Sequence, residues 1–383
     1  MDSQIIENHF KKQFAAQAEM LVRAPGRINL IGEHTDYNGG FVLPAAIDRA
    51  ILLAASRRDD GLFAFFAADL GEVFISGDEK TVLQTEKKWA NYLLGVISEA
   101  RKDGLKIGGL NLAFGGDVPL GAGLSSSAAL ESGMMFVLNA LFDLKLSKMG
   151  IVRLAQRGEN EFVGMKCGIM DMFASVMGRK NHVVRLDCRT LDHAYFPFEN
   201  EEFSLLLLDS GVKHQLVDSE YNARRKECET GVKILKGFDP QIESLRDVPP
   251  DFLEKHRADL PEIIFKRCQF VVEEIARVEA ACTALQNGDF RRLGSLMFAG
   301  HDGLNLKYGV CVPETNFLVE TAREQVLGAR QMGGGFGGCT LNLLKTNELP
   351  DFLTKISARY RDLFGLELKA YPVHLTDGVE IIG

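Results

Sequence analysis

The sequence predicts an α+β protein built as two domains. Three observations carry that expectation. At 383 residues the chain is too long for one ordinary core. Helical spacing and short strand-like runs are mixed through both halves, rather than segregated or strictly alternating. Hydrophobic residues make up 46% and charged residues 25%, the balance of a soluble folded chain and not of a disordered or fibrous one. The boundary is placed near residues 190–203, giving domains 1–195 and 196–383.

Taken in order, residues 5–17 have the spacing of an amphipathic helix and lead into a strand at 20–24. Residues 50–75 hold runs rich in Leu, Phe and Ala, broken by turn residues such as Asp59, Asp60 and Gly61, and read as strands. Residues 89–101 are helical, with Tyr92, Val96 and Ile97 on one face, and GLNLAFGG is a strand. A Gly/Ser loop follows, then a long helix at 127–142 with Leu130, Met134, Val137 and Leu141 on one side. Two more helical segments precede the strands HVVRLDC and FSLLLLDSG. Residues 237–261 are rich in Pro and charge without a clear period, the pattern of a surface excursion. Residues 265–286 and 313–330 look helical, and CTLNLL and AYPVHLT look like strands.

Charge and cysteine usage exclude several classes. A net charge of −8 argues against a nucleic-acid partner, whose phosphates need clustered Lys and Arg. No apolar run reaches the roughly 18 residues needed to cross a bilayer, so no membrane partner is expected. The N-terminal stretch lacks the long apolar core of a secretory signal. Seven cysteines, odd in number, scattered and never in a CxxC pair, fit reduced thiols in a cytoplasmic protein.

Three segments carry chemistry. In RAPGRINLIGEHTDYNGGFVLPAAI, residues 23–47, Pro25-Gly26 breaks the chain ahead of Arg27, and Gly32 ends an apolar run. The cluster Glu33, His34, Thr35 and Asp36 follows. Carboxylates so close together can accept hydrogen bonds from neighbouring sugar hydroxyls, with imidazole adding a donor or acceptor. A solvated turn would carry the same residue types, but the apolar flanks favour a polar turn held between buried pieces.

In GGDVPLGAGLSSSAALES, residues 115–132, a strand leads through Gly121, Ala122, Gly123, Leu124, Ser125, Ser126 and Ser127 into a strong helix. Glycines admit an anion close to backbone N–H groups, and the helix start adds partial positive charge. The loop is not a Walker A, since no GK[ST] follows, and its serines could serve only as an N-cap. In GGGFGGCT, residues 333–340, a formal GxGxxG lies between a helical pattern and a strand. That order is wrong for dinucleotide binding, which disfavours a nicotinamide-dependent oxidoreductase. Five glycines in six residues point instead to close approach to a ligand or another backbone.

Two carboxylates stand out by helical position. Glu159 falls on the apolar arc of residues 152–162 with Val152, Ala155 and Phe162, where an ionised group needs a partner such as a cation. Asp171 falls beside Ala174, Ser175 and Gly178, a small-residue face that would let a substrate come close; a solvated face would look the same.

These pieces, in this order, resemble the GHMP kinases. The string GRINLIGEHTDYNGGFVLPAAI resembles the signature of the galactokinase branch, PLGAGLSSSAALE the family's phosphate loop, and GGGFGGCT its third motif. Weaker similarity through WANYLLGV, GENEFVGMKCGIMD and SEYNARRKEC extends the resemblance over most of residues 20–345. It implies a two-domain GHMP kinase fold with the active site in the cleft between the lobes. It implies that residues 121–127 wrap the phosphates of ATP, that Ser127 and Glu159 hold Mg²⁺, and that Trp89 lies near the adenine. It sets Glu33, His34, Thr35, Asp36 and Tyr221 around the sugar, with the catalytic pair Asp171 and Arg27 at the reacting hydroxyl. The implied reaction is phosphorylation of D-galactose at its C1 hydroxyl, and a monomer is expected. Met172 stands where the family usually has Gln, Gln331-Met332 replaces Met-Thr, and VPETNF is less acidic than usual. Other readings are a kinase for N-acetylgalactosamine or a non-sugar alcohol, or a non-catalytic galactose sensor. Thr35 within EHTDY favours plain galactose, and the intact GLSSSA favours turnover.

Overall fold

Along Met20–Asn29 successive side chains turn to opposite buried faces. Leu21, with Leu52, Ala54 and Ala113, packs on Ile6 and Phe10 of the helix Ser3–Phe14; Val22, Leu53, Ala55 and Leu112 face the main core. In this computed structural model the described residues are 3–76, 83–119, 121–199, 201–213 and 217–383, without the side chains of 213 and 217–219. Leu120, part of the expected phosphate-loop string, lies outside them.

Met20–Asn29 belongs to a six-stranded sheet ordered Glu380–Ile381, Met20–Asn29, Pro44–Arg58, Gly109–Gly116, Phe63–Ala67, Glu72–Ile75. Phe63–Ala67 and Gly109–Gly116 run parallel; the other neighbours are antiparallel. The strand does not stop at Ala24 as expected. A register shift between Pro25 and Arg27 absorbs the proline, and pairing resumes to Asn29. A second antiparallel sheet is ordered Gly328–Gln331, Gly337–Lys345, Phe203–Lys213, Lys369–Val373. Its centre is buried on both faces: Leu205, Leu207, Leu341 and Leu343 meet the main core, while Leu206, Leu208 and Leu344 meet Phe352, Ile356 and Tyr360 of the helix Leu349–Phe364. That explains the unbroken LLLL run. A small sheet joins Phe41–Val42, His182–Asp187 and His193–Pro197.

The helices follow the expected order, with corrections. The segment expected to be helical over 313–330 is a helix only at Pro313–Ala322, and Gly328–Gln331 is a strand paired with Gly337–Lys345. There the ladder overrides local spacing. The excursion 237–261 is not loose on the surface, because Ile242, Leu245, Val248, Leu253 and Leu260 are buried in a cluster with Phe265 and Phe270. It contains a short helix, Pro250–Lys255. The small-residue face of Met170–Met177 does not meet open space: Ser175 Oγ donates to the Pro25 carbonyl at 2.8 Å, and the helix lies close on the first sheet. Among the described residues no helix is long and apolar enough to cross a membrane.

Candidate active site

The chain leaves Gly109–Gly116 and reaches the helix Ser126–Leu141 through a loop in which Gly121 (φ 74°) and Gly123 (φ 76°) adopt the left-handed conformation. Glycine adopts it without the steric cost a side chain would bring. The loop and helix start border a cleft of about 550 Å³, to which Gly121, Gly123, Leu124, Ser125, Ser126 and Ser127 contribute. Ala122 is buried beneath them, its carbonyl accepting the Cys339 N–H at 3.1 Å. Leu70, Trp89, Tyr92, Phe114 and Val118 give the cleft apolar lining, with Asp69 among them.

The third motif is the turn of the hairpin between Gly328–Gln331 and Gly337–Lys345, so a strand and not a helix precedes it. Its glycines permit the close approach the sequence implied. A Cβ at Gly333 would lie 3.3 Å from the Gly123 carbonyl oxygen, and one at Gly338 would lie 3.1 Å from that of Ala122. The two glycine loops therefore pack backbone to backbone.

An ion pair lines the cleft. Arg27 donates from Nε to Asp171 Oδ1 at 2.8 Å and from Nη2 to Oδ2 at 3.0 Å, while its Nη1 donates to the Gly123 carbonyl at 2.6 Å. Ser125 Oγ also donates to Asp171 Oδ2. The guanidinium is 4% exposed and the carboxylate 27%, so the acid is the member that meets the open space.

Beyond the pair is a chamber of about 40 Å³ bordered by Glu33, His34, Asp36, Gly168, Met170 and Tyr221. Arg27 and Asp171 line both the chamber and the cleft. Residues 30–35 turn away from the sheet through Gly32 (φ 104°) and His34 (φ 62°), and the helix Glu262–Gln286 fixes the turn: Glu274 Oε1 accepts the Gly32 N–H at 2.8 Å. Thr35 takes a different place from the one expected beside the sugar. It is fully buried and borders neither space, because its Oγ1 lies 2.9 Å from the Gly32 carbonyl and 2.6 Å from that of Phe41, bracing the turn from within.

Burial pushes the His34 imidazole down to about 3, so it is neutral, and its Nδ1 sits 2.7 Å from the Tyr37 hydroxyl. Burial raises Glu33, against the opposing pull of Arg330 and Arg27. Asp36 is pushed up to about 7 by burial and by the charge of Asp171. Tyr221, on the helix Val217–Lys236, stacks at an angle on His34 with ring centres 5.4 Å apart.

Glu159 sits where the helix Lys148–Arg157 loosens into a π turn, Gly158–Val163. It is buried, and its Oε1 accepts from Ser127 Oγ at 3.1 Å and its Oε2 from Cys167 Sγ at 3.2 Å. Burial, with the Asp171 charge adding to it, pushes Glu159 up to about 7. Beside it lies Glu131, fully buried, one helical turn after Ser127. Burial and the charge of Glu159 hold the Glu131 carboxyl well above the usual range. The signal for Glu131 in the sequence is its spacing of four from Ser127, which puts both on one helix face. Among the described residues there is no cluster of three or more His, Cys, Asp or Glu arranged to hold a metal.

Comparison with known proteins agrees along the chain. Residues 8–57 match the galactokinase galactose-binding signature, residues 91–179 the GHMP kinases N terminal domain, and residues 281–362 the GHMP kinases C terminal region. A galactokinase of Thermotoga neapolitana is 41% identical over 365 residues, 95% of this chain and the whole of that one. A galactokinase of Roseiflexus sp. is 39% identical over 382 residues, 99% of this chain and 97% of that one. The crystal structure of Lactococcus lactis galactokinase complexed with galactose has a TM-score of 0.95 at 32% identity, covering 98% of this chain and 99% of that one. Methanococcus jannaschii mevalonate kinase, 16% identical with a TM-score of 0.64 over 94% of this chain and 98% of its own, shares the fold. The chain belongs to the galactokinase family of GHMP kinases.

Proposed function

We propose that this protein transfers the γ-phosphoryl group of ATP to the anomeric C1 hydroxyl of D-galactose, giving galactose 1-phosphate and ADP. The observation that carries the reading is the position of Arg27 and Asp171, which border both the glycine-walled cleft and the carboxylate-lined chamber. A sugar in the chamber and a triphosphate in the cleft would meet at this pair. Phosphoryl transfer asks the protein mainly for in-line positioning and charge neutralisation.

Asp171 accepts the proton of the C1 hydroxyl as its oxygen bonds to the γ-phosphorus and ADP leaves. Arg27 aims Asp171 through two parallel hydrogen bonds, and its charge lies where negative charge gathers. Glu33, neutral His34, Asp36 and Tyr221 are the groups that hold and orient the sugar. Thr35 supports their turn. Residues 121–127 present N–H groups and hydroxyls to the phosphates, and Trp89 and Phe114 are among the apolar lining residues suited to the base.

ATP is used with Mg²⁺, and the donors present fit that ion. Ser127 and Glu159 offer one hydroxyl and one carboxyl, leaving its other positions to phosphate oxygens and water, as this ion prefers. A carboxyl raised to about 7 beside other carboxyls is one that a cation would ionise. When bound, the ion supplies charge neutralisation of the phosphates.

The lobes are read as residues 1–195 and 196–383, with 374–383 returning to the first sheet. A cytoplasmic monomer is the reading for the whole, and the seven free cysteines support the compartment. The test is ADP release in a coupled assay with galactose, N-acetylgalactosamine and no sugar. Galactose alone should drive release. Equal rates with the N-acetylated sugar would move the assignment to that rival, and no release at all would favour a sensor.

A further inference from the structure

We infer that Arg330, in the second lobe, is a positioning residue for the sugar and acts through Glu33. Arg330 is 0% exposed. A guanidinium in such a place needs a counter-charge close by. Its Nη1 donates to the carbonyls of Asn29 at 2.8 Å and Leu30 at 3.0 Å; its Nη2 forms an ion pair with Glu33 Oε1 at 3.2 Å without hydrogen-bond geometry, and Nε has no acceptor among the described residues. The same Oε1 accepts the Gly333 N–H at 2.8 Å.

Residues 29–33 carry the chain from the first sheet into the chamber, and both groups gripping Glu33 come from the second lobe's hairpin. With Oε1 hydrogen-bonded to the Gly333 N–H and drawn to the Arg330 charge, the carboxylate favours one orientation and presents its remaining oxygen accordingly. Lysine could not replace the fork, since a single ammonium does not span two carbonyls and a carboxylate in this geometry. The third motif thus does two tasks: its glycines pack on the phosphate loop, while Arg330 and Gly333 aim a chamber carboxylate.

This inference rests on reading the chamber as the sugar site, and the experiment separates the two. Galactose and ATP binding are each measured by calorimetry, without the other ligand, for wild type, Arg330→Met, Arg330→Lys, Glu33→Gln and the double variant Glu33→Gln/Arg330→Met. Arg330→Met should weaken galactose binding by about tenfold to a hundredfold, as expected for losing one partner of a buried charged pair. ATP affinity should stay within about twofold. The double variant should bind galactose within about threefold of Glu33→Gln alone, because coupled residues do not add. If Arg330→Met does not fold, Arg330→Lys and the double variant, which leaves no unpaired charge, make the same comparison. Losses that multiply in the double variant, or ATP affinity falling in step with galactose, would overturn the inference. Failure of the wild type to bind galactose would instead overturn the reading of the chamber.

Discussion

Asp171 accepts hydrogen bonds from Arg27 and Ser125, yet keeps part of its surface in the cleft. Asp171→Asn retains the shape and loses the basicity. It should lower kcat by about 10²–10⁴-fold with little change in the KM of either substrate, the signature of a group acting in the transition state. A near wild-type kcat would remove the base. Asp36 gives a pH test. Its folded value, about 7, lies above the ordinary 3.8, so the folded protein binds more protons than the unfolded chain between those values. Stability without ligand should therefore fall as pH rises through this window, and Glu159 contributes in the same sense. Asp36→Asn should flatten part of that slope in thermal melts. Galactose affinity should run the other way, weakening below about pH 7 in wild type as the acceptor is lost, and changing less in the variant. At neutral pH Asp36→Ala should raise the galactose KM on the order of a hundredfold, since charge-assisted hydrogen bonds contribute about 1.5–3 kcal/mol each. Glu159 was legible because a carboxylate on an apolar arc violates the local pattern; for Asp171 a solvated face would look the same, and its place at the reacting hydroxyl came from the family resemblance. Arg330 was not legible, because its strand resembled the continuation of a helix and its partners lie some three hundred positions earlier in the chain.

At the scale of elements, Glu159 owes its position to a close helix crossing. A Cβ on Gly95, in the helix Lys88–Lys102, would lie 2.8 Å from the Gly158 carbonyl oxygen, and one on Gly158 would lie 2.9 Å from the Val96 nitrogen. Gly158→Ala should push the π turn off that helix at a cost of about 1–3 kcal/mol of stability, the usual range for overpacking. Because Glu159 is the next residue, the KM for Mg-ATP should rise more than that for galactose in steady-state assays. An equal rise in both would argue that the turn does not serve the nucleotide side alone. The helix at 127–142 and the strand GLNLAFGG were readable almost to the residue, the helix from its regular apolar spacing and the strand from its short glycine-bounded apolar run. The π turn was not, because loosening one helical turn leaves no mark in apolar spacing. The ladder across Pro25 was equally hidden: a bulge accommodates a proline that local rules treat as a stop.

For the molecule as a whole, the largest buried cluster crosses residue 195. Val22, Leu53 and Leu112 share it with Leu205, Val278 and Leu341. Two domains were expected from chain length, but the largest buried cluster is common to both, while two smaller clusters belong to the second half alone. Calorimetry should accordingly show one cooperative transition, and two separated transitions would contradict the shared core. Because the chamber and cleft draw walls from both lobes, either substrate should raise that transition. Ligand at a hundred times its Kd contributes about 2.7 kcal/mol.

The edge strand Glu380–Ile381 has a consequence for biosynthesis. It pairs with Val22 and Arg23, and Leu21 donates to the Gly383 carbonyl at 2.7 Å. On the ribosome, Met20–Asn29 emerges early, whereas its neighbour on this side is translated after the whole second lobe. At about 5–20 residues per second the nascent first sheet keeps a bare edge for tens of seconds. Unpaired edges invite pairing with other chains. The interval before residues 374–383 appear is therefore when this protein is most exposed to misassembly, and when a chaperone that shields strand edges would raise its yield most.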